Sequence, residues 1–426
     1  MAVTMTRNTL IDSLPAEVGG PDWLAAVRRG ALEALRERGL PGKKTEAWRF
    51  TPVAPLLRER FADAAPAEVP AWAAARLPVA AAGETRVYLV NGHLVAPASA
   101  AGVTVVPLGQ VMDRVEGVLG EIAAGEHFAA LNAARFAGGA AVWLDAAEAP
   151  LHIVHVSVPG AEPTVCYPRL VVTVGQGARA TLIETYLAGD GAVQLTSAVT
   201  EIEVGLRARL DHVRVHRGGD ASSHVGTLAV RQQAGSVYRS LSASLGGAFA
   251  RLDVNVLFAG EGAECELDGA YHTAGRELCD HHTVIDHAVP RCSSRETYRG
   301  VIDGSSHAIF DGTVYIRRDA QQSSAHQENR NLLLSDDATV HTKPHLEIDA
   351  DDVVASHGAT VGALDEDQLF YLRARGVDEV TARAALIYGF LQDAISRVGT
   401  EETAAWLGAA LRDRLPDGHA IEELLV

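Results

Sequence analysis

The chain carries a long succession of short apolar runs with the rhythm of β-strands, from about residue 80 to residue 362. Gly, Asp, Asn and Pro separate the runs, as tight turns require. Helical patterns do not alternate with them, which argues against a Rossmann fold or a TIM barrel and predicts a mainly β core. Sandwich, barrel and solenoid stay open, although about 280 residues of strands are long for one sandwich, whereas a parallel β-helix grows by adding turns. The clearest runs are VYLV (87–90), AVWL (141–144), LVVTV (170–174), LDVNVLF (252–258) and HAIFDGTVYI (307–316).

The segment before this core predicts an amphipathic helix followed by a connection. Apolar residues recur at helical spacing over residues 22–39, and Gly and Pro close the pattern. We expect the stretch KKTEAWRFTP, residues 43–52, to form an extended strap whose Trp48 and Phe50 dock on the core. Residues 62–82 are rich in Ala and Pro without periodicity, which indicates a linker.

The segment after the core is helical in pattern, with helices predicted over residues 365–375, 378–398 and 400–415. Asp365 is placed to cap the first of these helices, and Gln368 can complete a capping box. The second helix has an apolar stripe at spacings of three and four, which must be buried against something. The stripe consists of Val380, Ala384, Ile387, Leu391, Ala394 and Val398.

These patterns divide the chain into three predicted parts. Residues 1–80 form an N-terminal helical region with a linker, residues 81–362 form the β core, and residues 363–426 form a C-terminal helical domain. Within the core, apolar residues at helical spacing predict a helical excursion near residues 108–136.

The formal net charge of −17 argues against two classes of partner. Sequence-independent binding to nucleic acid or to an anionic membrane rests on Lys and Arg side chains, and this chain is acidic. No apolar run approaches the ~20 residues that span a bilayer, and the N-terminus lacks a basic region followed by an apolar core. We therefore expect a soluble, cytoplasmic protein. No GxxxxGK[ST] loop and no GxSxG elbow occur, so we expect no ATP binding through a phosphate loop and no nucleophile elbow.

Four cysteines are spread over the chain without a CxxC pair. Their spacing predicts neither a disulfide framework nor a self-contained zinc or cluster site. Residues 279–287 hold a dense group of Cys, Asp and His, which could approach ligands on other strands if turns stack about 4.8 Å apart. Cys292 is a candidate ligand, with a buried structural thiol as the alternative. His212 and His216 would lie roughly 13 Å apart on a strand, too far to share one metal.

His357 is at a plausible ligand position, because it lies between Ser356 and Gly358 at what these small residues predict to be a turn. The motifs around it, TKPHLEIDADDV, SHGATVG and DEDQLFYLRARG, resemble the signature of the SufB/SufD family of iron–sulfur cluster assembly proteins. The form SHGATVG is similar to the SufD branch. The resemblance continues through CSSRETYRGVIDG and the NLLL block, and into the N-terminal TEAWRFTPV.

The resemblance implies a right-handed parallel β-helix flanked by helical regions, and the role of a scaffold rather than an enzyme. It implies pairing with a SufB-like subunit, or with a second copy when the chain is alone, and docking of a SufC-like ATPase. No cofactor is held permanently; an iron–sulfur cluster or iron passes through a subunit interface, where His357 is a ligand. Many relatives have a cysteine two residues before this histidine, and Ala355 here excludes a thiolate at that position. The candidate ATPase-docking residues are Phe370, Tyr371, Ile387, Phe390 and Leu391.

Two other functions stay open on the residues alone. A β-helix enzyme acting on carbohydrate would need paired carboxylates, for which Asp336 with Asp337 and Asp351 with Asp352 are candidates. Neighbouring residues of a strand point to opposite faces, so such pairs cannot easily flank one bond. A stand-alone metal-binding protein would need ligands closer together than the scattered histidines and cysteines of this chain.

Overall fold

The computed structural model describes residues 9–12, 20–42, 44–123, 127–397 and 399–421 of the 426-residue chain. The helices are α1 Thr9–Asp12, α2 Asp22–Arg38, α3 Ala71–Ala75, α4 His127–Arg135, α5 Glu366–Ala374, α6 Glu379–Ile395 and α7 Glu401–Arg412. The first strands are β1 Ala62–Asp63, β2 Thr85–Val90, β3 His93–Leu94, β4 Ala98–Ala100, β5 Val103–Pro107, β6 Ala140–Leu144, β7 Leu151–Ser157, β8 Thr164–Cys166 and β9 Arg169–Val174. The long strands are β10 Arg179–Ala188, β11 Gln194–Val204, β12 Arg209–Arg217, β13 Ser222–Gln232, β14 Val237–Leu245, β15 Phe249–Phe258, β16 Glu264–Thr273, β17 Leu278–His287, β18 Ser293–Ile302, β19 His307–Ile316, β20 Ser323–Leu333, β21 Thr339–Ile348 and β22 Val353–Gly362. Within the described residues, no helix is long and apolar enough to cross a membrane.

The long strands alternate between two sheets, so the chain completes one turn for every two strands. One sheet runs in the order β21-β19-β17-β15-β13-β11-β9-β6-β5-β4, and the other runs β22-β20-β18-β16-β14-β12-β10-β7-β2-β3. Pairing is parallel from turn to turn: Arg209 lies beside Arg179 on one side and Val237 on the other. Among the described strands, antiparallel pairs are confined to the first turns. The core is therefore a parallel β-solenoid of about eight turns, which confirms the predicted fold class.

The interior of the solenoid is the main hydrophobic core. Alternate residues of each strand face inward because successive side chains point to opposite sides of a sheet. Leu182, Leu210 and Leu252 are inward-facing and buried. Each such side chain contributes about 1.5–3 kcal/mol by leaving water.

The N-terminal region covers the outer face of the longer sheet. Helix α2 packs against α4, and Trp48, Leu131 and Val171 belong to one buried cluster. The predicted excursion is present as two 3-10 turns, Leu108–Gln110 and Met112–Arg114, followed by α4.

Two sequence-based expectations about this region are corrected. The strap is not fully extended, because Glu46–Trp48 is a 3-10 helix in which the Trp48 N–H donates to the Thr45 carbonyl. The predicted linker is not loose, because β1 pairs with β8 and α3 buries Ala73 against the shorter sheet.

The C-terminal helices cover the outer face of the shorter sheet. The Asp365 carboxylate accepts hydrogen bonds from the N–H groups of Asp367 and Gln368, which confirms the predicted helix start. The apolar stripe of α6 packs against β16 and β18, so Ile387 and Leu391 lie in a buried cluster with residues of the sheet. The middle of the stripe, from Ala384 to Ala394, is thus covered within the chain itself, whereas Val380 is 43% exposed and Val398 lies outside the described residues.

Candidate functional site

The last turn of the solenoid is open. Strand β21 pairs with β19 and strand β22 pairs with β20, and among the described strands neither has a partner on its other side. Their outer edges therefore present rows of backbone N–H and C=O groups. Apolar side chains are exposed at the same end, since Val354 is 75% exposed, Val361 49% and Ile348 40%. We call the edges and faces of β21 and β22 the open end.

His357 lies within the open end, in the middle of β22. The predicted turn at this position is wrong, because residues 353–362 form a strand paired in register with β20. Ala355 packs against the interior cluster, and His357, two residues later, is on the same side of the strand. The imidazole is exposed and lies on the inner side of β22, at the open end of the solenoid interior.

Two buried polar residues lie beneath His357. Gln327 is its neighbour on β20, and Glu296 is the neighbour of Gln327 on β18. The Gln327 amide Nε2 donates to Glu296 Oε2. Burial raises the pKa of Glu296 to about 7, even though the hydrogen bond from Gln327 acts in the opposite direction. A partly neutral acid thus lies inside the solenoid, two strands below the open end.

These two residues were missed in reading the sequence. The signal was a polar residue at every second position of β20, where Gln327, Asn329 and Asn331 all face inward and are buried. Such a pattern looks like a solvated strand face. That face becomes part of the solenoid interior only because neighbouring turns stack on both sides of β20.

The interior is polar at its other end as well. The Glu184 carboxylate accepts hydrogen bonds from Tyr186 and Thr200 and lies 3.1 Å from His155 Nε2 and 3.0 Å from His212 Nε2. Burial opposes ionisation, but the bonds from the two histidines hold the pKa of Glu184 well below its usual range. This carboxylate is fully occupied by hydrogen bonds, so His212 has a structural role here.

The cysteines do not form a metal centre with the histidines. All four cysteines are buried, and among the described residues no group of three or more Cys, His, Asp or Glu side chains is placed to hold a metal ion. Cys292 Sγ lies 3.6 Å from the carbonyl oxygens of Gly260 and Pro290, and burial raises the pKa of this thiol. Cys292 belongs to the hydrophobic core, so the structural alternative describes it best.

The five candidate docking residues on the C-terminal helices divide into two groups. Phe370 is 72% exposed and Tyr371 54% exposed on α5. Ile387 and Leu391 are buried, so the expectation that their side chains are available at a docking surface is corrected. Phe390 is half-buried at the edge of the same cluster, and its docking role stays a prediction. Helical spacing identifies an apolar face but does not say what covers it.

A groove between α5 and α6 was not foreseen from the sequence. Its volume is about 550 Å³. It forms only when the two helices pack, which no single-helix pattern reveals. The apolar lining includes Leu372, Ala385, Leu386, Tyr388 and Ile421.

Comparison with known proteins gives concordant matches. Residues 156–390 match the family model described as "SUF system FeS cluster assembly, SufBD core domain". An iron–sulfur cluster assembly SufBD family protein of Synechocystis, slr0076, is 30% identical over 396 residues, covering 87% of this chain and 86% of that protein. The iron–sulfur cluster assembly protein SufD of Escherichia coli is 29% identical over 396 residues, covering 91% and 92%. The chloroplastic protein ABCI7 of Arabidopsis thaliana is 38% identical over 242 residues, covering 56% and 50%.

Proposed function

This chain belongs to the SufBD family of iron–sulfur cluster assembly proteins, and we propose that it serves there as a non-catalytic scaffold subunit. In this role it pairs end to end with a SufB-like solenoid and carries a SufC-like ATPase on its C-terminal helices. It offers His357 to iron or to an iron–sulfur cluster that is assembled at the joint. The observation that carries the proposal is the open end, which combines unpaired strand edges with an exposed imidazole.

The open end favours a partner that is itself a solenoid. An exposed strand edge is satisfied by another strand, which adds main-chain hydrogen bonds. Here two edges lie side by side, one in each sheet, so a partner with two matching edges satisfies both at once. A SufB-like subunit supplies such an end, and a second copy of this chain supplies one when the partner is absent.

His357 is suited to bind the cargo rather than to stabilise the fold. Imidazole is a common iron ligand, and it can replace a thiolate at an iron–sulfur cluster. Ala355 leaves no thiol next to it on the inner side of β22, and among the described residues no three Cys, His, Asp or Glu side chains are grouped to hold a metal ion. We therefore assign the remaining protein ligands to the partner subunit. The cluster is thereby tied to the assembled pair.

The C-terminal helices support docking of an ATPase. Phe370 and Tyr371 are large side chains exposed on α5, and Leu372 of the same helix lines the groove. Exposed aromatic side chains and apolar grooves are both features of surfaces that bind a partner helix. Because this chain lacks a phosphate-binding loop, hydrolysis of ATP belongs to the partner.

The proposal is tested by producing the wild-type chain with a SufB-like and a SufC-like protein and purifying the assembly without oxygen. Iron, sulfide and melting temperature are measured for wild type, His357→Ala and the control His326→Ala. His326 lies on the neighbouring strand but faces outward, with Nδ1 2.7 Å from Ser356 Oγ. We expect His357→Ala to assemble and to melt within about 2 °C of wild type, because exposed side chains contribute within about 0.5 kcal/mol.

The cluster content separates the outcomes. It should fall several-fold in His357→Ala and stay unchanged in His326→Ala. A normal cluster content in His357→Ala would end the ligand assignment. Failure of the wild-type chain to assemble with either protein would end the scaffold assignment.

A further inference from the structure

Residues 45–52 of the N-terminal strap cross the outer face of the longer sheet towards the open end. Trp48 is 3% exposed, and its ring stacks on Phe128 with centroids 5.3 Å apart. On the sheet side, the Arg251 guanidinium carbon lies 3.8 Å from the centre of the same ring. Trp48 is therefore held between helix α4 and strand β15.

A buried ion pair fixes the strap on both sides of its tip. Arg251 Nη1 donates to the Ala47 carbonyl at 2.8 Å and lies 2.6 Å from Asp280 Oδ2. The Thr51 hydroxyl donates to the same carboxylate. Burial alone would raise the pKa of Asp280, but the charge of Arg251 and His282 outweighs it and lowers the pKa. Breaking a buried pair of this kind leaves an unpaired buried charge and is strongly unfavourable, so the strap is held rigidly.

The tip between these anchors is Phe50. Its ring lies nearly parallel to that of His341, with centroids 3.9 Å apart and planes at 17°. Phe50 is 37% exposed, and the Arg49 guanidinium carbon lies 5.4 Å from its ring centre. His341 belongs to β21, the last strand of its sheet. The strap thus reaches the rim of the open end, although it precedes β21 by more than two hundred residues in the sequence.

We propose that Arg49 and Phe50 form part of the surface that meets a partner solenoid at the open end. This inference rests on the proposed end-to-end pairing and extends it from the strand edges to the N-terminal strap. The occupant is a second solenoid end, because only a body with two strand edges matches the two open edges beside the strap. Aromatic and arginine side chains are the types that carry most binding energy at interfaces.

The anchoring distinguishes Phe50 from an ordinary exposed apolar residue. Single exposed apolar side chains are normal on protein surfaces and need no special role. Phe50 is held in place on both sides, by Ala47 and Trp48 before it and by Thr51 after it, through the buried Arg251 and Asp280. A rigid side chain loses little conformational entropy when it is buried by a partner, which favours its use as an anchor.

The test measures pairing of the whole chain with the SufB-like subunit by sedimentation velocity over a range of concentrations. Wild type is compared with Phe50→Ala and with Leu206→Ala, a matched control whose apolar side chain is 38% exposed in the turn between β11 and β12. We expect Phe50→Ala to raise Kd by about 10-fold or more, as loss of an interface anchor does, and Leu206→Ala to leave Kd unchanged. Amide hydrogen exchange of the wild-type chain gives a second readout that needs no mutation. Amides of residues 49–51 should become more protected when the partner is added.

Each outcome bears on one proposal. An unchanged Kd for Phe50→Ala, in a variant whose melting curve matches wild type, would overturn the strap assignment. Unchanged exchange at residues 49–51 in a complex whose β21 and β22 amides become protected would overturn it too. If the wild-type chain does not pair at all, the end-to-end pairing itself fails and the strap assignment falls with it.

Discussion

Replacing Gly300 by alanine probes how tightly the solenoid interior is packed. Gly300 lies beside Tyr271 on the neighbouring strand. A Cβ at this position would lie 2.0 Å from Tyr271 Cε2 and 2.5 Å from Asn331 Oδ1. Ordinary carbon contacts begin near 3.5 Å, so the ring must move by about 1.5 Å. The ring is fully buried, and its hydroxyl donates to Asn331 Oδ1 at 2.6 Å.

The expected cost combines two effects. Overpacking a filled core costs about 1–3 kcal/mol, and loss of the tyrosine hydrogen bond adds about 1 kcal/mol. Gly300→Ala should therefore lower the free energy of unfolding by about 2–4 kcal/mol. The matched control is Gly358→Ala on β22, where an added Cβ meets no atom within 4 Å. That change should stay within about 0.5 kcal/mol of wild type or stabilise slightly, because it restricts the unfolded chain.

Urea unfolding followed by far-UV circular dichroism measures both variants. Amide hydrogen exchange at β16 and β18 reports whether the loss is local to the strands that carry Tyr271 and Gly300. Equal unfolding midpoints for Gly300→Ala and Gly358→Ala would refute the packing argument, since only one of the two sites is filled.

Three further predictions concern charge and docking. Burial raises the pKa of Glu296 from 4.5 to about 7, so the folded state binds the proton more tightly than the unfolded state does. The free energy of unfolding of the wild type should therefore fall by an amount on the order of 3 kcal/mol as pH rises from about 4.5 to about 7. Glu296→Gln should flatten this part of a series of urea midpoints against pH; parallel curves would contradict the assignment. Asp280→Asn leaves Arg251 with one fewer buried carboxylate and should lower the free energy of unfolding in urea by about 3 kcal/mol. A decrease of less than about 0.5 kcal/mol would show that the ion pair does not stabilise the fold. The double change of Phe370 and Tyr371 to alanine should weaken binding of the SufC-like ATPase about 10-fold or more in calorimetry without shifting the melting temperature, whereas unchanged binding would remove α5 from the docking surface.

The C-terminal helices show what a helical pattern in the sequence can predict and what it cannot. The start of α5 was readable, because an N-cap acts over three residues and Asp365 does bond the N–H groups of Asp367 and Gln368. The burial of Ile387 and Leu391 against the solenoid was not readable, because a periodic stripe specifies a face and leaves its partner undefined. Deleting α6 and α7 would therefore expose the outer face of the shorter sheet.

The candidate site, too, could be predicted from the sequence only in part. The resemblance of SHGATVG to a known family pointed to His357, but the small residues around it predicted a turn where the structure has an edge strand. Exposed strands without a covered face look like loops in sequence, since neither side must be apolar. Glu296 and Gln327 were missed for the related reason that inward polar residues give the same alternation as a solvated face.

The sequence by itself determined that the core is built of many short strands and that no phosphate-binding loop of the GxxxxGK[ST] type occurs, because each depends on residues within about ten positions. Only the tertiary structure decided which strands stack and in what register, because residues such as Gln327 and His357 meet across a whole turn of the solenoid. It also decided that the strap reaches the open end through Phe50 and His341. Such contacts depend on the geometry of all the intervening turns of the solenoid, which no local sequence pattern specifies.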